Sequence, residues 1–397
     1  MPRNGGTTVR RAGAPEVDAA LRARRRLRGA RRIEPAATRP ARLRVVDVAL
    51  FYGERSGGIR TYLDNKIAWA HATPGIEHHL IVPGPKRSHA DGRHELPSFR
   101  VAAANGYRLP LGVGALKSTL RALRPDVVLL HDPFWGPLGV CSVAHELGAR
   151  VVAVHHGSSA LDAAGMPGPD APWRAAFRAW MHHAYREVDA IMSAVDTRDD
   201  SGRDASIPLR FGLHPAFAPV EPAPARGDHV LYVGRIAREK GVFDLVRAAA
   251  RSPEPWPLRL VGTGPALDRV KALAAELGLG RRLQLRPYIR DPEHLAQTYR
   301  KAAAVVMPGA HETFGLVGFE AAASGAATVA CSTAPSARVT GSLVHTFGAG
   351  DVDGLLHAIQ DARRTPPDLP AARALAREMT WRRALDAELA DLRTLVR

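Results

Sequence analysis

Cysteine is nearly absent from this 397-residue chain: only Cys141 and Cys331 occur, far apart and without a companion at ligand or redox spacing. A disulfide framework and a thiolate metal site are both excluded. No run approaches the roughly 20 apolar residues that cross a bilayer, so no membrane span is expected. The N-terminal stretch also lacks the continuous apolar core, about 7 to 15 residues long, of a signal peptide, and a cytoplasmic protein is the expectation. Metal-ligand clusters are missing as well. The acid-rich stretch 196–204 has no pairing histidine and the composition of a solvated loop.

What is present is an ordinary apolar fraction of 46% in a chain long enough for two domains of roughly 150 to 200 residues. The net charge of +16 is unevenly distributed. Residues 1–42 hold twelve arginines against three acids, +9 in all, which leaves +7 over the other 355 residues. That remainder is too dilute to mark a polyanion-binding face. The tail itself has almost no large apolar side chains and is expected to be disordered, with a short basic helix on an anionic membrane surface (22–32) as the lesser reading.

From Leu43 the pattern becomes short β-branched runs alternating with amphipathic stretches, which predicts βαβ units, parallel sheets and the α/β class. Strands are expected at 43–50, 79–83, 126–131, 151–155 and 190–194, and again at 229–233, 258–261, 283–286, 303–307 and 327–331. The Pro- and Ala-rich stretch 208–226 between the sets reads as a linker. The chain closes with a polar amphipathic helix over 381–397.

Four stretches carry chemistry. Ser56-Gly57-Gly58-Ile59-Arg60 lies between the first strand and a helix through Tyr62 and Trp69, so Gly57 and Gly58 let backbone amides approach an anion at a helix N-terminus. Gly234-Arg235 and Glu239-Lys240-Gly241 follow the first strand of the second set, where open parallel sheets bind ligands. Two cations five positions apart, Arg235 and Lys240, can flank a diphosphate there. Lysine is scarce, with six in the whole chain, so Lys240 stands out. In the third stretch Glu312 and Glu320 bracket Thr313-Phe314-Gly315-Leu316-Val317-Gly318-Phe319. Amides of Phe314, Gly315, Leu316 and Val317 open a helix and can receive phosphate oxygens, while Glu320 can reach sugar hydroxyls. The fourth is the histidines at strand ends, His131-Asp132 and His155-His156-Gly157, of which His155 is the strongest functional candidate. Gly262-Thr263-Gly264 lacks the third glycine of a dinucleotide fingerprint and reads as a turn bordering the nucleotide site.

Together these residues resemble the retaining glycosyltransferases of family four, which have the GT-B fold, over 43–397. The resemblance implies two Rossmann-like domains facing across a cleft, 43–212 and 213–379, with a C-terminal helix, 380–397, returning towards the first domain. It implies that Arg235 and Lys240 bind the donor diphosphate and stabilise the leaving group, that Glu312 contacts the donor sugar, and that Glu320 holds the ribose. It also implies that His155 approaches the sugar from the opposite domain, and that Gly57, Gly58 and Gly234 shape the donor loops. The family needs no bound metal, no resident cofactor and no enzymic nucleophile. In three places the sequence departs from the family pattern: Gly212-Leu213-His214 at the linker, Gly325-Ala326-Ala327, and Thr333-Ala334-Pro335-Ser336.

The expected activity is transfer of a hexosyl group with retention. A nucleotide sugar is the co-substrate, GDP-mannose preferred and UDP-hexose next, and the acceptor is a lipid, a glycan or a small molecule. No nucleic-acid partner is expected, while peripheral contact at the inner face of a membrane stays open. Two alternatives remain at this point. One is a nucleic-acid or anionic-surface binder that uses the basic tail, and the other is sugar-nucleotide epimerase or phosphorylase chemistry on the same fold. Phe134-Trp135-Gly136-Pro137 and 173–180 offer aromatic and basic surface for an acceptor.

Overall fold

The computed structural model describes residues 42–53, 57–100 and 108–397. The basic tail, apart from Arg42, and Ser56 of the first glycine motif lie outside the described residues. Arg42–Arg397 form one unit that holds two sheets.

The runs Val127–Leu130 (VVLL) and Arg150–His155 (RVVAVH) are apolar on both faces because both faces of a parallel sheet are covered by crossover helices. The first sheet contains β1 (Leu43–Val48), β2 (Ile76–Gly84), β3 (Ser88–Ala90), β4 (Arg93–Arg100), β5 (Arg108–Pro110), β6 (Val127–Leu130), β7 (Arg150–His155), β8 (Ala190–Ser193) and β9 (Ile207–Pro208). Its order is β3-β4-β2-β1-β6-β7-β8-β9, with β5 on β4. Only the β3–β4 and β4–β5 pairs are antiparallel. The second sheet contains β10 (Val230–Val233), β11 (Leu258–Val261), β12 (Leu283–Arg286), β13 (Ala304–Met307), β14 (Thr328–Cys331) and β15 (Val344–Phe347). All its pairs are parallel, in the order β12-β11-β10-β13-β14-β15.

In each sheet the strand order reverses beside the first strand, between β1 and β6 and between β10 and β13. Chain leaving the carboxyl ends of such neighbours turns to opposite faces and opens a crevice. The ten expected strands all form, most within a residue or two at each end. Unforeseen were β3, β4, β5, β9 and β15. The β4 sequence, RHELPSFR, carries charge and proline and pairs because it lies beyond β2 near the sheet edge. β15 is only four residues long.

Two features join the halves. The rings of Phe211 and Phe314 stack with centroids 4.5 Å apart, and Trp381 packs edge-on against Phe211. The last helix, Trp381–Leu395, returns to the first sheet's half. There Trp69 Nε1 donates to Asp386 at 2.8 Å, Tyr62 donates to Glu388 at 2.6 Å and Arg210 pairs with Asp391 at 2.6 Å. The departure at Gly212-Leu213-His214 falls where this return begins. The Leu213 amide donates to the Met379 carbonyl at 2.7 Å, and a Cβ on Gly212 would lie 2.1 Å from the Trp381 nitrogen. Glycine is required there by the crossing of two backbones.

Candidate active site

A cavity of about 540 Å³ lies between the carboxyl ends of the two sheets. From the first half it is walled by Gly57 and Gly58, by His131, Asp132, Pro133 and Phe134 after β6, and by His155, His156 and Gly157 at the end of β7. From the second half come Gly234 and Arg235 after β10, Glu239 and Lys240 in the next turn, and Pro308 with 312–317 after β13.

Two helix N-termini meet at this cavity. The helix Gly58–Ala72 begins at the Gly57-Gly58 pair, and the helix Leu316–Ala323 begins after Gly315. They approach so closely that a Cβ on Gly58 would come within 3.3 Å of Leu316 Cδ1. Neither helix has a side-chain cap, so the first amides of both are left for a ligand, and both dipoles favour an anion between them. Gly315 makes the tight entry possible. It has φ +92°, and an added Cβ would lie 2.5 Å from Ser336 Oγ and 2.6 Å from Met307 Cε.

The charged groups on the second wall are paired with one another. Lys240 Nζ lies 2.8 Å from Glu312 Oε2, and Arg235 is bridged to the buried carboxylate of Glu239. The Tyr232 hydroxyl donates to the Arg235 carbonyl at 2.6 Å and fixes the turn. Such pairs hold the cations in place without quenching their donors, since an ammonium has three and a guanidinium five.

On the first wall, His155 is buried, its Nε2 has no hydrogen-bond partner, and the nearest carboxylate is Asp200 at 3.7 Å. Burial, reinforced by the nearby Asp200 charge, pushes the Asp162 carboxyl up to about 6 despite the opposing pull of His155. Asp132 is held by the amides of Leu50, Phe134 and Trp135 at 2.8, 3.0 and 3.2 Å and is a structural cap for that loop. Thr313 reaches across the cleft and donates its hydroxyl to the His156 carbonyl.

The structure brings Gly57, Gly58, His155, Gly234, Arg235, Lys240, Glu312, Phe314, Gly315, Leu316 and Val317 to one cavity. It does not bring Glu320 there. Its carboxyl accepts from the Tyr299 hydroxyl at 3.1 Å, and burial pushes it up to about 7. Four positions after Leu316 and three after Val317, it sits on the helix face that carries those two cavity-lining residues, one turn further in. The stretch 196–204, expected as a solvated loop, contains the short helix Arg198–Ser201, and Asp200 accepts from the Ser159 amide at 3.2 Å. Glu239 and Asp162 line the cavity without having been singled out as site residues. Glu239 stood beside Lys240 in plain view, whereas nothing in the sequence around Asp162 marks it.

Comparison with known proteins agrees with this arrangement half by half. The family model for Glycosyltransferase Family 4 matches residues 56–194, and that for Glycosyl transferases group 1 matches residues 216–366. A GDP-mannose-dependent alpha-(1-6)-phosphatidylinositol dimannoside mannosyltransferase of Mycobacterium tuberculosis is 28% identical over 387 residues, covering 88% of this chain and 96% of that protein. A D-inositol 3-phosphate glycosyltransferase of Arthrobacter sp. is 37% identical over 186 residues, 43% of this chain and 44% of that one. Among solved structures, a sucrose-phosphate synthase from Thermosynechococcus elongatus superposes with a TM-score of 0.71 at 21% identity, over 89% of this chain and 99% of that one. Anabaena HepE, solved with UDP and glucose, gives 0.64 at 14% identity, over 88% and 99%. Two parallel-sheet domains sharing one cavity are the GT-B fold. Within that class the chain belongs to the group 1 glycosyltransferases.

Proposed function

We propose that the protein transfers a hexosyl group from a nucleotide sugar to an acceptor hydroxyl with retention at the anomeric carbon. The observation that carries this reading is the convergence on one cavity of two uncapped helix N-termini, Arg235, Lys240 and Glu312. The helix starts and the two cations receive the donor diphosphate, and their positive charge stabilises it as the bond from its oxygen to the anomeric carbon breaks. Glu312, released from Lys240 when the phosphate takes that partner, accepts from hydroxyls of the donor sugar. The acceptor oxygen bonds to the anomeric carbon on the face the phosphate leaves, and its proton passes to the departing phosphate oxygen. In this reading no resident metal or cofactor is required, because fixed donors supply the positive charge.

GDP-mannose is the preferred donor and UDP-hexose the next. The first is supported by the mannosyltransferase whose name specifies GDP-mannose, the second by HepE, solved with UDP-glucose. The acceptor enters over Phe134 on the first wall, and a lipid, a glycan and a small hydroxylated molecule all fit that description. No helix of the described residues is long and apolar enough to cross a membrane, and the reading places the enzyme in the cytoplasm, with peripheral membrane contact where the acceptor is a lipid.

Incubation with a panel of nucleotide sugars, scored for released nucleotide with and without EDTA and followed by NMR of the product anomer, tests each element. Release from a GDP- or UDP-hexose, unaffected by EDTA and yielding the donor's anomeric configuration, is the expected result. Silence from every donor overturns the reading.

A further inference from the structure

Five ionisable side chains run in an unbroken line from the C-terminal helix to the cavity wall. Glu388 Oε1 lies 2.7 Å from Lys66 Nζ, and Lys66 Nζ lies 3.1 Å from the Asp47 carboxylate on β1. His131 Nε2 donates to Asp47 Oδ1 at 2.6 Å, and His131 Nδ1 lies 2.7 Å from His156 Nε2. The side chains of Lys66, Asp47 and Glu388 are 1%, 0% and 4% exposed, while His131 and His156 both line the cavity. Tyr62 donates to the second oxygen of Glu388 at 2.6 Å, and His78 meets Asp47 Oδ2 at 2.5 Å.

Burying three charges in a domain core carries a desolvation penalty that apolar side chains of similar size avoid. A line that ends at the cavity offers a functional reason for keeping them. Proton counting shows what it controls. An ionised carboxylate only accepts, so His131 Nε2 carries a proton. One more proton lies between His131 and His156; with His156 Nδ1 bare it sits on His156 Nε2, which donates to His131 Nδ1, because holding it on His131 would leave an imidazolate. The charge of the histidine pair is then decided at a single atom, His156 Nδ1: bare, the pair is neutral; protonated, the pair is cationic. The Lys66 ammonium opposes the cationic state, and the Asp47 and Glu388 carboxylates favour it.

We propose that Lys66 is a positioning residue that acts through Asp47 and His131 to hold His156 Nδ1 as a hydrogen-bond acceptor for a substrate hydroxyl in the cavity. The inference rests on the glycosyl-transfer reading. Burial, with His131 and His155 beside it and Lys66 behind, holds the His156 imidazole well below the usual histidine range against the pull of Asp47. The groups that face this line are Tyr62 and Lys66 from Gly58–Ala72, Asp47 from β1, His78 from β2 and Glu388 from the last helix. His155, with Asp162 and Asp200, stands beside its cavity end. Across the cavity stand Thr313, Glu312, Lys240 and Arg235.

The experiment is the pH profile of transfer by the full chain for wild type, Lys66→Met, Glu388→Gln and the double variant. Protonation of His156 Nδ1 forms the acidic limb. Lys66→Met leaves both carboxylates uncompensated and is expected to move that limb upward by about one pH unit, whereas Glu388→Gln is expected to move it downward by a similar amount. The double variant restores the original charge balance, and its limb returns close to wild type. Unmoved limbs, or single variants that shift in the same direction, overturn the proposal. Ring-nitrogen NMR of the wild-type chain gives a readout that needs no turnover and no core substitution: a bare Nδ1 on His156 at pH 7 is expected, and a protonated one overturns the proposal. Should wild type release nucleotide from no donor, the transfer reading fails by itself, and the spectra still decide the protonation of His156.

Discussion

On the second-domain wall, every charged side chain facing the cavity comes from two short stretches, 234–240 and 307–317. The first-domain wall is assembled differently. Its histidines and carboxyls stand on separate strand ends, and behind them the line from Asp47 to Glu388 spans residues 341 positions apart in sequence. In the proposed transfer, the pyrophosphate of a nucleotide sugar is the same whatever sugar or acceptor is involved, so a fixed local device of glycines, two cations and a helix start would serve it. In the same reading, a substrate hydroxyl is met by an acceptor atom of defined protonation, held in a buried environment that distant parts of the chain build together.

The sharpest way to break this comparison is to disable the second wall. Lys240→Ala and Glu312→Ala are each expected to lower turnover by on the order of 100- to 1000-fold with circular dichroism unchanged, since each removes a group that acts on the charge or hydroxyls of the donor. Full activity in either variant removes the donor wall from the argument. Next in size is Gly315→Ala. The positive φ and the approach of Ser336 and Met307 predict a loss of about 1 to 3 kcal/mol in folding stability, read from denaturant midpoints at constant slope. A neutral result shows that the helix entry has room to relax.

Smaller effects separate the walls. Phe134, 38% exposed at the cavity mouth, is expected on truncation to alanine to raise the acceptor KM several-fold, corresponding to about 1 kcal/mol of lost apolar burial, with the donor KM unchanged. A change in donor KM instead assigns the aromatic mouth to the donor. The smallest effect concerns Glu320. Its native carboxyl is raised to about 7 from an ordinary 4.5, so it is protonated in both folded and unfolded chain at low pH, and ionisation penalises only the folded state as pH rises through that interval. Glu320→Gln is therefore expected to match wild type in Tm at pH 4 and to exceed it by a few degrees at pH 8. Equal Tm values at both pH values place Glu320 in an ordinary solvated setting.

Much of this was legible before any coordinates. The ten principal strands were visible because runs such as VVLL and VVAV cannot remain in water and are too short for buried helices. The Arg235, Lys240 and Glu312 wall was visible because it comes from two short stretches at strand ends and includes one of only six lysines. Glu320 falls one turn beyond the cavity-lining residues, a depth along the helix that motif spacing does not give. β15 was missed because an edge strand needs little hydrophobic pattern to pair, and β4 because its charges and proline mask a strand that pairs with β2, β3 and β5.

Local chemistry and periodicity by themselves determined the two α/β halves and the glycine turns after their first strands, since each depends on interactions within a few residues. Only the tertiary structure decided that Lys66 is buried against Asp47 and Glu388, that His131 touches His156, and that two helix starts meet at one cavity. Those outcomes depend on which surfaces lose water together when the last helix returns to the first sheet. No stretch of sequence records that event in isolation.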